Sequence, residues 1–353
     1  MILQPGHAVP DGVTYLPSTT DRVLWGRLPC ATDAPVLAID PGTSCVIDTI
    51  SHEGILEDQG RDPRAYFAAA GAHEVLEDAV ALAASDHPRT WGVDGPHVTT
   101  GPIEVRGARV GDLLAIRVLE ATPRVPYGVI SNRHGRGALP GEYPQQGDGD
   151  VFSVFATVDD DGRGRIPLGP DTDTTVGFDL RPFLGIMGVG VAGDVRPHSV
   201  PPGTHGGNID INLLTAGATL YVPVQVDGAL AYVGDPHFAQ GDGEVSLTAM
   251  EASLRVRLGF DVIAREDAVA AFGELAGPMA ETSEYLVPTG MDEDLDLAVQ
   301  NCVRAAIALL QARFGMDPRH AYAYLSAATD FDISQVVDLV KGVHARIRKA
   351  DFG

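Results

Sequence analysis

Between Ser253 and Val262 apolar and polar residues alternate. Leu254, Val256, Leu258, Phe260 and Val262 fall on one side, and Arg255 and Arg257 on the other. Side chains in a strand point to opposite faces in turn, so this spacing predicts a half-buried β-strand. Leu114–Leu119 and Thr219–Val226 repeat the pattern, and Gly107, Gly111, Gly217 and Gly228 stand at the ends of such runs, where tight turns need them. With 41 glycines and 25 prolines in 353 residues, the chain is cut into many short elements joined by turns. A mainly-β fold follows. The 44% of hydrophobic residues is ample for its core.

Helical signals gather at the end of the chain. From Asp292 to Phe314, Leu295, Val299, Cys302, Val303, Ala306 and Leu310 recur at helical spacing, with acidic residues crowding the first turn. Gly315 reads as the closing C′ glycine, and Asp317-Pro318 as the cap and first residue of another helix. An alanine-rich stretch, Ala65 to Ala84, predicts a short helical excursion. The Asp- and Gly-dense segment Asp148 to Pro170 reads as a boundary between two β regions. The expected organisation is an N-terminal β-rich domain over 1–155, a central one carrying the site motifs over 156–265, and a helical C-terminal region over 266–353.

A net charge of −23 excludes a nucleic-acid partner, because phosphate binding needs a basic surface, and an anionic membrane is repelled likewise. Most of that acidity reads as a solvating surface. Cys30, Cys45 and Cys302 are far apart with no CxxC spacing, so no disulfide framework is expected, and Cys302 falls on a helical core stripe. Neither a basic, then apolar N-terminal leader nor an eighteen-residue apolar run is visible, so a soluble cytoplasmic protein is expected. A homodimer is the base-rate expectation for its assembly.

Chemistry concentrates between His198 and Glu251. In Pro201-Pro-Gly-Thr-His-Gly-Gly-Asn-Ile-Asp210, paired glycines flanked by His205, Asn208 and Asp210 bring backbone amides and polar side chains close to whatever binds there. In Gly234-Asp-Pro-His-Phe-Ala-Gln-Gly-Asp-Gly-Glu244, Asp235 and His237 share a face if the strand extends through them. Asp242 and Glu244 do likewise after a turn, and Glu251 follows seven residues on. One imidazole among several carboxylates suits zinc or a related divalent ion, although spacing does not identify the metal. Taken singly, either phrase also fits an ordinary solvated hairpin.

These phrases, with Gly185-Ile-Met-Gly-Val, Thr100-Gly-Pro-Ile-Glu-Val-Arg-Gly-Ala, Ala321-Tyr-Ala-Tyr-Leu-Ser-Ala-Ala-Thr-Asp and Ile333-Ser-Gln-Val-Val-Asp, resemble the signature stretches of the acetamidase/formamidase family. The resemblance runs from about Pro41 to Arg346. It implies a mainly-β, sandwich- or barrel-like fold with an α-helical or α+β C-terminal region, hydrolysis of a short amide to carboxylate and ammonia, and a divalent metal. Carried over residue by residue, the family's polar core falls on His205, Asn208, Asp210, Asp235, His237, Asp242, Glu244 and Glu251.

Two features depart from the family pattern. Asp48-Thr49 is followed by Ile50 and Ser51 where the family has an aspartate two residues after the threonine, leaving His52 and Glu53 as substitutes. The loop Tyr127-Gly-Val-Ile-Ser-Asn-Arg-His-Gly-Arg-Gly carries Arg133, His134 and Arg136, unusual in so acidic a chain. They read either as surface charge or as recognition of a carboxylate or carbonyl on a larger substrate.

The expected site therefore has Asp210, Asp235 and His237 as metal ligands, with Asp242 and Asp48 as further candidates. Glu244 is the expected general base and Glu251 its substitute. His205, Gly206, Gly207, Asn208, His52 and Arg133 are expected to contact substrate, with amides around Gly206 and Gly207 as oxyanion donors. No Gly-x-Ser-x-Gly elbow is present, although Ser51 beside His52 leaves a serine nucleophile open. Two rivals stand beside the amidase: a silent protein binding a metal or small acid, and a hydrolase of an ester or cyclic amide.

Overall fold

A computed structural model describes residues 2–353, built on two large sheets. The first runs in the order β1 (Thr14–Leu16), β4 (Thr43–Asp48), β16 (Leu254–Ile263), β6 (Leu113–Pro123), β13 (Thr219–Pro223), β17 (Met279–Glu281), β18 (Tyr285–Asp292), β20 (Lys341–Arg348) and β19 (Asp330–Gln335). The second runs β10 (Thr175–Asp179), β9 (Arg163–Pro167), β8 (Val151–Val158), β7 (Tyr127–Arg133), β15 (Met250–Glu251), β14 (Ala231–Ala239), β11 (Phe183–Gly188) and β12 (Gly206–Asn208). Beside β15, the edge of β14 also pairs with β5 (Val98–Val105), which in turn carries β2 (Val23–Trp25) and β3 (Leu37–Ile39).

The alternation of β16 has its expected consequence. Leu254, Val256, Leu258 and Phe260 are fully buried, and they join Val129, Met187, Val233 and Phe238 of the second sheet in one core. The main core thus lies between the sheets, as the apolar faces of two stacked layers demand. A smaller core backs the first sheet, where Leu286 and Ile347 meet Leu309, Leu310 and Leu325 of the C-terminal helices. The mainly-β architecture with C-terminal helices is as the sequence predicts.

Those helices begin and end where their residues dictate. In α4 (Leu295–Phe314) the Asp294 carboxylate caps the first turn at the Leu297 N–H, and Gly315 closes it at φ 64°. For α5 (Pro318–Ala328) the Asp317 carboxylate accepts from the Arg319 and His320 amides. Helix α4 lies directly on β18 because Gly290 has no side chain: a Cβ there would run into the Cys302 amide and the Ala298 carbonyl. Cys302 is buried at that contact, and all three cysteines are free.

The alanine-rich stretch forms two short helices, α1 (Pro63–Ala69) and α2 (Glu77–Ala84), and α3 (Arg265–Phe272) follows β16. The Asp148–Pro170 segment, expected as a boundary, folds instead into the β8–β9 hairpin, with Asp159 Oδ1 accepting from Asp161 N and Arg163 N in the turn. Its Asp and Gly residues mark a tight turn inside a sheet. The first sheet draws strands from all three stretches 1–155, 156–265 and 266–353. No helix among the described residues is long and apolar enough to cross a membrane.

Candidate active site

The centre of the second sheet carries the chemistry. Asp235 and His237 lie two residues apart on β14, and Glu251 on β15 stands in register opposite His237. His237 Nε2 is 3.1 Å from Asp235 Oδ2 and 3.0 Å from Glu251 Oε1. From the other ring nitrogen, Nδ1, Asp210 Oδ1 is 3.8 Å away. Two further imidazoles close on the same aspartate: His52 Nδ1 at 3.6 Å and His97 Nε2 at 3.8 Å from Asp235 Oδ1. All six side chains are buried.

Backbone shape aims these groups. Asp210, Asp235 and Glu244 all adopt left-handed φ, at 47°, 50° and 47°. That conformation is sparsely populated by residues other than glycine, and its concentration on three carboxylates of one cluster marks strain held in place by the surrounding fold. Gly185 on β11 supplies the room. A Cβ at this position would collide with Asp210 Oδ1 and lie 2.6 Å from Asp235 Oδ2 and 2.7 Å from His237 Cε1.

The electrostatics are those of a dry, carboxylate-rich space. Five buried carboxylates, Asp210, Asp235, Glu244, Glu251 and Asp338, share it with His52, His97 and His237. Burial pushes Asp210 up to about 7 and raises Glu244, Glu251 and Asp338 as well, each reinforced by neighbouring carboxylates. His52 is raised as well, to about 10: burial disfavours its charge, but the nearby carboxylates of Asp235, Glu53 and Glu251 outweigh it. His97, buried and near the His52 and His237 charges, is held at about 4 despite the Asp235 carboxylate.

Many of these atoms have no hydrogen-bond partner. His52 Nδ1, both oxygens of Asp210, Asp235 Oδ1, both nitrogens of His237 and Glu251 Oε2 are buried and unsatisfied. Buried polar groups in folded proteins are nearly always paired, so a concentration of orphans calls for a missing partner. Three overlapping donor sets fit a cation: His52, His97 and Asp235; Asp235, His237 and Glu251; and Asp210, His237 and Glu244. Imidazole nitrogens with carboxylate oxygens are the donors that zinc and related divalent ions take.

The cluster opens onto a cavity of about 610 Å³. His52, His97, Asn208, Asp235, Glu244 and Glu251 form its polar floor. Glu53 braces the floor from behind: it accepts from Arg133 Nη2 at 2.6 Å and from Ser131 Oγ at 2.9 Å, and sits 3.4 Å from His52 Nε2. Against its burial, that arginine and His52 hold the Glu53 carboxyl down at about 2.

Not every expected residue arrives here. Asp48 is buried, but Arg255 donates to it at 2.6 and 3.0 Å and Tyr15 at 2.5 Å, with Arg124 at 3.6 Å. It is the centre of an ion-pair network that ties β4 to β16, and its oxygens are not free for a metal. Asp242 points out of the cavity, exposed and bonded to Asn212 at 3.0 Å, because Gly243 at φ 101° reverses the chain between it and Glu244. His205 is buried against Gly203 and Gly207 and lines no part of this cavity. The Gly206 amide donates to the Gly203 carbonyl and Gly207 pairs with Met187 in the sheet, so neither faces the cavity as an oxyanion donor.

Two residues that the sequence reading passed over stand in the site. His97 precedes β5, three residues before the Thr100 stretch, and Asp338 ends the Ile333-Ser-Gln-Val-Val-Asp stretch. Both lay inside or beside stretches that carry the family resemblance, and that was the available signal.

Comparison with known proteins agrees with this picture. Residues 190–347 match the acetamidase/formamidase family model. The acetamidase of Mycolicibacterium smegmatis is 27% identical over 300 residues, covering 66% of this chain and 73% of the relative. The formamidase of Methylophilus methylotrophus is 26% identical over 307 residues, covering 69% and 74%. Among solved structures, the acetamidase of Bacillus halodurans superposes with a TM-score of 0.73 at 24% identity, over 96% of this chain and 98% of that one, and so shares the fold. The matched relatives place this protein among the amidases, hydrolases of carbon–nitrogen bonds other than peptide bonds. The chain is thus similar to the acetamidase/formamidase family, whose model matches its residues 190–347.

Proposed function

We propose that this protein is a metal-dependent amidase that hydrolyses a primary amide to carboxylate and ammonia. One observation carries the reading: a buried set of imidazoles and carboxylates with unsatisfied atoms forms the floor of a cavity open to small molecules. A solvated hairpin, the bland alternative, would leave these groups exposed and hydrated.

Asp235 would hold the ion, zinc by donor type, together with His237 and Glu251 or with His52 and His97. Bound there, a divalent cation supplies Lewis acidity, lowering the pKa of water and polarising the amide carbonyl. The chain's own residues do the rest. Glu244 faces the cavity beside the donors and takes the proton of the attacking water, then delivers it to the departing nitrogen. The bond between carbonyl carbon and nitrogen breaks, oxygen from water takes nitrogen's place, and ammonia leaves with the transferred proton. Asn208, whose Oδ1 is buried without a partner, lines the same floor and serves to orient the amide NH₂. Glu53 and Arg133 act behind it, fixing the His52 ring rather than touching substrate.

Ammonia release by Glu244→Gln tests the assignment of the base. Loss of release with the ion still bound supports it, and unchanged release removes Glu244 from the scheme.

A further inference from the structure

The cavity is about twenty times the ~30 Å³ that one water molecule occupies in the liquid. An amide of one or two carbons would leave most of it filled with solvent, whereas its size falls in the range that accommodates larger ligands. Above the polar floor the walls turn apolar, with Leu56, Trp91, Val93, Val200 and Leu339 among the lining residues, and Trp91, Val93 and Leu339 exposed. At the mouth stands Arg136.

Arg136 differs from the other two arginines of the cavity. Arg89 is committed to Glu57 and to the Gly95 carbonyl, and lies over Trp91. Arg133 is committed to Glu53. Among the described residues the Arg136 guanidinium takes part in no ion pair and no hydrogen bond, while the acids that share the upper cavity are already engaged. Asp58 meets Arg133 and His134, and Asp94 meets Arg27 at 2.6 Å. Across the opening, His198 feels the Arg136 charge: burial first, then Arg27 and, more weakly, Arg136 lower its pKa.

The loop that presents Arg136 is fixed. The Arg136 amide donates to the Arg133 carbonyl at 3.1 Å, His134 N to Asp150 O at 2.7 Å, and Ala138 N to Val245 O at 2.8 Å. Asn132 Nδ2 reaches Ser246 O at 2.7 Å. A chain of net charge −23 would lower its self-repulsion by pairing such a cation, yet it holds this one unpaired at the mouth of this cavity.

Resting on the amidase reading, we propose that the substrate is an amide whose far end bears a carboxylate. The amide group reaches the Asp235–His237 floor, a short apolar spacer lies along the Trp91 and Leu339 walls, and the carboxylate is held by the Arg136 guanidinium, whose planar fork matches it. The reaction is hydrolysis of a dicarboxylic acid monoamide to the dicarboxylate and ammonia.

The test compares succinamate, glutaramate and adipamate with butanamide, pentanamide and hexanamide, following ammonia release by wild type, Arg136→Ala and Arg136→Lys. The expected result is a wild-type preference for the charged amides in kcat/KM. The ratio of charged to neutral should fall about ten- to a hundredfold in Arg136→Ala, through KM, and partly return in Arg136→Lys. A ratio near one in wild type, or one that Arg136→Ala leaves in place, overturns the proposal while leaving the amidase reading intact. If no amide is hydrolysed, the amidase reading fails, and calorimetric binding of adipate then decides the carboxylate site by itself. Binding lost in Arg136→Ala supports the site; binding that is absent in wild type or equal in both proteins rejects it.

Discussion

Asp235 Oδ2 stands 3.1 Å from His237 Nε2, the two side chains coming from one strand and both shut off from solvent. Removing the charge from one and keeping its shape separates a ligand from a packing residue. In Asp235→Asn, bound divalent metal should fall below one equivalent. Amide hydrolysis should fall by more than the roughly 10–100-fold that loss of an outer partner of a metal site costs. Metal analysis and ammonia release on the same sample check both. Retention of both metal and turnover would remove Asp235 from the site.

Gly185 makes the second prediction. Because a Cβ there overlaps Asp210 Oδ1 and crowds Asp235 and His237, Gly185→Ala forces the donors apart. Overpacking of this kind costs about 1–3 kcal/mol in stability, so the variant should fold with a lowered urea midpoint and little activity. Gly241→Ala, whose Cβ would meet nothing within 4 Å, is the matched control and should behave as wild type.

For Asp48 the expected loss is of stability rather than of metal. In Asp48→Ala its main partner Arg255 would be left a buried cation with only backbone carbonyls for partners, while Arg124 keeps Asp78. Breaking one side of a buried pair costs about 3–5 kcal/mol. Urea unfolding measures that, and the metal content of the protein that remains folded should not change.

Acid should weaken the fold through His344, which lies outside the cavity on β20 with Nδ1 2.8 Å from Ser334 Oγ. Burial holds its pKa at about 4 in spite of Asp332 nearby. The unfolded chain takes up this proton near 6.5, the folded one only near 4. Its contribution is therefore complete above about pH 6.5 and is lost as the pH falls from there towards 4, by on the order of 3 kcal/mol. Urea midpoints across that range should flatten in His344→Gln relative to wild type.

What the sequence made legible was whatever depends on local period. Asp235 and His237 share a surface because strand side chains repeat every second residue, and α4 and α5 begin at aspartate caps, with α4 closing at Gly315, for equally local reasons. What stayed hidden depends on partners far along the chain. Nothing near Asp48 shows that Arg255, 207 residues away, will claim its oxygens. Asp242 and Glu244 share a parity in sequence, yet the positive φ at Gly243 and Glu244 sends one outward and the other inward. His97 is a lone histidine ahead of a strand, and only the pairing of β5 with β14 brings it to Asp235.

The central claim is that the buried imidazoles and carboxylates hold an ion required for amide hydrolysis. Metal content by mass spectrometry, paired with ammonia release before chelation, after it and after adding zinc back, tests this directly. The expected result is about one or more equivalents of divalent metal, release that disappears on chelation, and recovery on re-addition. Full turnover by protein shown to be free of metal would contradict it.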